Sequence, residues 1–267
     1  MSDDDAGFAW QTGVWDRISQ LYWHEIDPRF APVVEGVIGR ASLRQGDRVL
    51  DLGTGTGAVA AHAERAVGAE GQVVAVDIST EMLAVAAQRA RRDGLHYELR
   101  EGRGESIPAG DGEFDAVCAS LSLMYVIDRK AAAREISRVL RPGGRLVAAV
   151  WAGSDDCDIV LFQQTAGSFA PAPPVAGVGP GALADPRRFL DELADAGIHA
   201  RVDVDILGFE FPNFELAWEV LAGVTTAQLP PQRREEARAA VREAMWAEPD
   251  MPRQFWNTTK FIVGHRP

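Results

Sequence analysis

The sequence predicts an α/β fold, a mostly parallel sheet with helices on both faces, and three observations carry that prediction. Between Gly46 and Trp151, short apolar runs alternate with stretches of helical periodicity. The first run, Val49 to Leu52, leads into Gly53-Thr54-Gly55-Thr56-Gly57 and then a helix, whose free N–H groups point into the turn. The run RVLRPGG ends a helix and starts another strand. Regular alternation implies right-handed crossovers and parallel strands. In such a sheet, ligands sit beyond the carboxyl ends of the strands, where Gly53, Asp77, Gly104 and Ser120 fall.

Taken in order, residues 1–45 form a helical flap in which Trp10, Trp15, Ile18, Leu21 and Tyr22 recur near helical spacing. Its aromatics either pack on the main domain or form a lid with Tyr22 or His24 facing inward. The core, 46–151, has strands at 47–52, 72–77, 96–100, 113–119 and 144–151, helices at 57–67, 79–93 and 129–140, and a short helix near 121–126. Residues 152–267 form a substrate-facing insertion and the closing strands. The insertion is a helix over 157–170 and a Pro/Gly-rich loop over 171–182. Asp185-Pro186 starts a helix ending at Ala196, Arg201 to Phe211 alternates as a strand, 214–227 and 231–247 read as helices, and Trp256 to Gly264 makes the last strand.

Composition sets limits on function. A chain of 267 residues, 46% hydrophobic and 25% charged, has enough apolar material for a real core. Lys+Arg 27 against Asp+Glu 39 leaves −12, which disfavours a nucleic-acid partner, since that affinity comes largely from neutralised phosphates. The start, MSDDDAGF, has neither a basic nor an apolar leader region, and no long apolar run suggests a membrane span, so the expectation is a soluble cytoplasmic protein. Cys118 and Cys157 are the two cysteines and offer neither a disulfide framework nor a CxxC metal site.

Two acids narrow the ligand. Asp77 ends the run VVAVD, where a carboxylate would accept the ribose hydroxyls of an adenosine group. NAD binders use the same acid, and Gly53-x-Gly55-x-x-Ala58 satisfies their glycine fingerprint. Asp51, two residues before Gly53, would repel a pyrophosphate but suits an ammonium or sulfonium. The alternative for Asp51 is a cap for backbone N–H groups in the turn.

With these residues in place, the sequence resembles the class I S-adenosylmethionine-dependent methyltransferases, in particular the UbiE-like (type 11) small-molecule group. VLDLGTGTG, VVAVDIST-EML, GRGESIPAGDGEFDAV and RVLRPGGRLVAAVW match the family's ordered motifs, over roughly residues 10–151. The resemblance implies a Rossmann-like, mostly parallel seven-stranded sheet and S-adenosylmethionine as cofactor, with S-adenosylhomocysteine as product. It sets Asp51, Gly53, Thr54 and Gly55 beside the methionine part, Asp77 on the ribose, Ile78 and Met82 against the adenine, and Gly104 and Glu105 at its edge. Ser120 falls beside the sulfonium and Tyr22 over the cofactor.

Two departures bear on mechanism. Arg103 stands where the family commonly has Asp, so Glu105 or a backbone carbonyl must accept from the adenine amino group. SLMYVID, 122–128, lacks the His that many relatives carry, which leaves His24 first and Tyr125 second as candidate bases. His62, His96, His199 and His265 read as structural. Asp155, Asp156 and Asp158 read as a solvated cluster, so no metal is expected. The acceptor pocket is assigned to Trp151, Phe162 and Phe169 with help from Trp218 or Trp246, and seven tryptophans favour an apolar or aromatic acceptor of natural-product type, methylated at O, N or C. The alternatives are an NAD(P)-dependent oxidoreductase and a methyltransferase-like protein that binds the cofactor without methyl transfer. The expected partner is a small-molecule acceptor, with no nucleic acid and no membrane. Oligomeric state stays open, a homodimer included.

Overall fold

The computed structural model describes residues 3–267; Met1 and Ser2 of the acidic start lie outside the described residues. Seven strands run in chain order as β1 (Arg48–Leu52), β2 (Gln72–Asp77), β3 (Glu98–Glu101), β4 (Phe114–Ser120), β5 (Leu140–Trp151), β6 (His199–Phe211) and β7 (Arg253–His265). They lie in the spatial order β3-β2-β1-β4-β5-β7-β6. The first five pair in parallel, and β7 is antiparallel to both β5 and β6. This is the expected seven-stranded, mostly parallel Rossmann-like sheet. Strand order reverses at β1, which lies between β2 and β4, so a crevice opens where β1 and β4 end.

The crossover helices are α3 (Ala58–Val67), α4 (Thr80–Asp93) and α5 (Arg129–Val139). The last two start on a side-chain cap: Ser79 Oγ accepts from Met82 N at 3.0 Å, and Asp128 Oδ1 accepts from Ala131 N at 2.9 Å. The start of the chain folds as α1 (Asp3–Leu21), a π-helical turn (Tyr22–Ile26) and α2 (Asp27–Ala41). Asp27-Pro28 opens α2, because proline fits a first helical turn where its missing N–H costs nothing. In α2, Phe30 meets the rings of Trp151 and Phe209 edge-on or tilted at 5.4 and 5.7 Å, and Val33 and Val37 are buried. In α1, Asp16 accepts from Ser79 Oγ at 2.6 Å, which ties this helix to the start of α4.

After β5 come α6 (Asp158–Gly167), α7 (Arg187–Asp195), α8 (Phe214–Leu221), α9 (Gly223–Thr226) and α10 (Pro231–Met245). Several boundaries differ from expectation, among them three in the second half of the chain. The strand expected at 144–151 begins at Leu140, because Arg-Pro-Gly-Gly stays in the sheet as an irregularity instead of a separate turn. Pairing jumps from Phe114 with Leu140 to Ala116 with Arg145, and Gly143 N donates to Arg266 O at 2.8 Å. The helix expected over 214–227 is broken at Ala222, and the one expected over 157–170 stops at Gly167. Among the described residues, no helix is long and apolar enough to cross a membrane.

Candidate functional site

The glycine turn after β1 is built by two different needs. Gly53 has φ +72, and a Cβ there would lie 2.3 Å from Ser122 Cβ, so the turn and the segment after β4 touch with no room between them. Gly55 has φ +54, and a Cβ there would meet nothing within 4 Å. The first glycine closes the structure; the second leaves open space. Gly53 N and Thr54 N both donate to Val76 O, at 2.8 and 2.9 Å, which ties the turn to β2.

Asp77, at the end of β2, holds the turn from the other side. One carboxylate oxygen accepts from Gly55 N at 2.7 Å and the other from Ser79 N at 2.9 Å. Burial raises its pKa, and these N–H donors work against the rise. Each oxygen keeps a lone pair for a further donor. Asp27, at the start of α2, pairs with Arg89 and accepts from Thr56 Oγ1, while Arg89 Nε donates to Thr56 O at 2.8 Å. This cluster binds the N-terminal helices to the glycine turn and to α4.

A cavity of about 120 Å³ opens at this point. Gly53, Gly55, Asp77, Ile78 and Met82 line it from β1, β2 and α4, and Gly104, Glu105 and Ser120 from the ends of β3 and β4. Tyr22 and Tyr125, also expected at the site, line it too. Burial lifts both phenols above their ordinary pKa, so both hydroxyls stay protonated near neutrality. Leu121, also on the wall, has φ +57, an uncommon conformation for a leucine that stores strain beside the cavity.

A second cavity of about 40 Å³ lies behind it, and Trp15, Tyr22, Leu121 and Tyr125 line both. Trp15 stands edge-on to Tyr125 at 4.9 Å and to Tyr22 at 6.4 Å, forming an aromatic partition. Trp151, Phe30 and Met124 wall the far side. The sequence reading missed the share of α1 in this site. Phe8, Gln11 and Trp15 line the larger cavity, and their spacing of three and four puts them on one helical face, which was the available signal. Gln11 Nε2 donates to Tyr125 O at 2.6 Å, and Arg103 lies over the Phe8 ring at 4.0 Å. The residue that departs from the family pattern therefore closes the cavity by stacking on α1.

Several expected residues are elsewhere. Asp51 and Thr54 do not line the cavity: Asp51 Oδ2 accepts from Thr54 Oγ1 at 2.6 Å and from Ala60 N at 2.9 Å. The free N–H groups at the start of α3 draw the carboxylate under the turn, so Asp51 caps the turn and stays off the cavity wall. Its Oδ1 has no partner among the described residues, and burial pushes its pKa up to about 7. His24 is exposed and stacked on Trp23 at 5.0 Å, outside both cavities, because the π-helical turn directs it away from the inward-facing Tyr22. Phe162 is fully buried against Trp218 at 6.1 Å and Phe255 at 6.5 Å, as part of the core. Phe169 packs under Arg233, and Trp246 is buried near Phe214. Asp158 pairs with Arg253 and accepts from Trp256 N, and no group of three His, Cys, Asp or Glu among the described residues is placed to hold a metal.

Residues 50–148 match a family profile described as a methyltransferase domain. Over that segment the chain is similar to the methyltransferase domain, and its sheet has the class I methyltransferase fold. The UbiE ubiquinone/menaquinone biosynthesis C-methyltransferase of Serratia proteamaculans is 40% identical over 126 residues, 46% of this chain and 48% of that protein. The chain thus spans about half the length of the curated relatives it matches. Among solved structures, the YcgJ protein of Bacillus subtilis superimposes with a TM-score of 0.65 at 21% identity, covering 88% of this chain and 98% of that one. The [4+2]-cyclase SpnF superimposes with 0.59 at 23% identity, covering 88% and 80%. At these identities, the structural likeness speaks for the fold. The family profile spans Gly53, Asp77, Gly104 and Ser120 of the larger cavity, while α6, α8 and α9, which line the smaller one, lie outside it.

Proposed function

We propose that this chain transfers a methyl group from S-adenosylmethionine to O, N or C of a small apolar or aromatic acceptor and releases S-adenosylhomocysteine. The observation that carries the reading is the cavity at the strand-order reversal, with open space over Gly55 and the half-used carboxylate of Asp77 at its edge. Asp77 would accept from the two ribose hydroxyls, Ile78 and Met82 would flank the adenine, and the Gly53–Gly55 turn would lie under the methionine part. Glu105 would take the adenine amino group in place of the family's usual acid. Its Oε1 accepts from Ile127 N at 2.8 Å, which leaves Oε2 for a ligand.

The bound sulfonium supplies an activated methyl group with a good leaving group. The chain's own part is to orient the acceptor in line and exclude water, which supplies most of the rate in such a displacement. Trp15, Tyr22 and Tyr125 do both, since they form the partition between the two cavities. With both phenols protonated, neither is poised to act as a base, so the acceptor brings its own nucleophilic atom. The relatives' C-methyltransferase name supports carbon as the attacked atom, and the −12 net charge supports a small-molecule partner over a nucleic acid.

Calorimetric titration tests the cofactor: S-adenosylmethionine should bind at micromolar concentration and NADH should not, while tight binding of NADH alone would overturn the reading. Mass-spectrometric detection of S-adenosylhomocysteine on incubation with hydroxylated aromatics tests transfer. A second reading, cofactor binding without transfer, draws support from the lining of the smaller cavity, which among the described residues includes no His, Asp or Glu, and from the SpnF fold likeness. Cofactor binding with no S-adenosylhomocysteine from any acceptor would favour it.

A further inference from the structure

The two edges of the sheet are guarded differently. β3 is four residues long and reads Glu98-Leu99-Arg100-Glu101, short and charged as exposed edges usually are. β6, at the other end, is thirteen residues long, holds neither Pro nor Lys, and pairs with β7 from His199 to Phe211 without a bulge. Among the described residues, no backbone hydrogen bond joins residues 199–211 to any element but β7, so alternate residues turn their N–H and C=O outward with no strand to meet them. The side chains leave this edge open as well. Ala200, Val202, Val204 and Ile206 share one face, where Val204 is 55% and Ile206 66% exposed. Lys260, opposite Val204 on β7, is drawn away to Ala184 O. On the other face, Asp203 and Asp205 are held by Arg40 of α2, and Arg201 reaches Asp203 at 3.2 Å.

From this geometry we infer that β6 pairs antiparallel with β6 of a second copy of this chain, about a twofold axis at Val202. Pairing on a twofold is reciprocal, so each contact between unlike positions occurs twice. With the axis at Val202, Ala200 of each copy meets Val204 of the other, which extends one apolar row across both sheets. On the opposite face, Arg201 meets Asp203 and His199 meets Asp205, so no like charges oppose each other, which matters in a chain of net charge −12. The neighbouring registers lack this match. An axis at Arg201, Asp203 or Asp205 sets that residue against itself, and an axis at Val204 sets Asp203 against Asp205. An unrelated extended peptide would satisfy the open backbone equally well, but the self-complementary charge order belongs to a second copy. One added strand is a small interface, so the dimer forms at micromolar and not nanomolar concentration.

Sedimentation equilibrium across the micromolar range tests the pairing, with the full chain and no ligand. The wild-type protein should pass from monomer to dimer, and Val204→Lys, at an exposed position the fold does not need, should weaken the dimer at least about tenfold. Arg201→Glu and Asp203→Arg each set like charges opposite one another and should weaken it similarly. Mixed together, those two variants regain opposite charges at both contacts and should restore the dimer. Val202→Cys, on the axis, should form a disulfide between copies under mild oxidation, while Ile206→Cys should not; Cys118 and Cys157 are buried and do not compete. A wild-type protein that stays monomeric throughout, whatever else binds the edge, overturns the inference. So does an undiminished dimer in Val204→Lys, a mixture that associates no better than its components, or a cross-link at Ile206→Cys in place of Val202→Cys. Methyl transfer enters none of these measurements, so the pairing and the proposed activity stand or fall separately.

Discussion

Adding one methyl group at each of two neighbouring glycines should produce opposite kinds of damage. In Gly53→Ala, the new Cβ takes a left-handed φ of +72, which costs about 1–2 kcal/mol. It also lands 2.3 Å from Ser122 Cβ, and Ser122 has little freedom to withdraw, since its Oγ donates to Leu52 O at 2.7 Å. Overpacking of this kind adds about 1–3 kcal/mol. The expected loss of stability is therefore about 2–5 kcal/mol. In Gly55→Ala only the backbone term applies, about 1–2 kcal/mol, because the Cβ enters open space; that space belongs to the cavity, so cofactor affinity should fall at least about tenfold. Urea denaturation gives the stabilities, and calorimetry with S-adenosylmethionine gives the affinities. Removing the obstacle in Gly53→Ala/Ser122→Gly should recover about 1–3 kcal/mol as a coupling energy in a double-mutant cycle. Equal destabilisation by the two alanines, or no coupling with Ser122, would refute this account of the turn.

Four further outcomes follow from the same geometry. Asp77→Ala should weaken S-adenosylmethionine binding by about 1–3 kcal/mol by calorimetry, the cost of hydrogen bonds lost to a charged group; unchanged affinity would remove Asp77 from the site. The folded-state pKa of Asp51, about 7 against an ordinary 3.8, means that its protonated form is favoured in the fold. Its contribution is complete below pH about 4 and is lost as pH rises through 7, with a ceiling of about 4 kcal/mol. Chemical denaturation between pH 4 and 7 should show a steeper fall for the wild-type protein than for Asp51→Asn, and parallel profiles would count against a perturbed Asp51. His24→Ala should leave turnover unchanged, and Tyr125→Phe should leave the shape of the pH–rate profile unchanged between pH 6 and 9; a lost alkaline limb in Tyr125→Phe would restore Tyr125 as a base.

Much of the cofactor site was legible because its parts are local. Gly53, Gly55, Asp77, Ile78 and Met82 lie at or just after the ends of two strands, and strand ends follow from runs of apolar residues and the turns that stop them. His24 was misplaced for the opposite reason: a single π-helical turn reorients a side chain without altering helical periodicity. Phe162 and Trp151 look equivalent as aromatics in sequence, yet one is sealed between β7 and α8 and the other walls a cavity, a distinction made by packing alone.

The sequence by itself determined the alternation of strands and helices, the glycine turn with its acid at the end of β2, and hence the crevice where a nucleoside-bearing cofactor would rest. Tertiary structure decided the roles within it. It turned Asp51 under the turn, stacked Arg103 on Phe8, and raised a partition of Trp15, Tyr22 and Tyr125. Backbone conformation answers to neighbours in the chain, whereas Arg103 and Phe8, or Trp15 and Tyr125, come from segments far apart in the chain, which meet only once the sheet has closed.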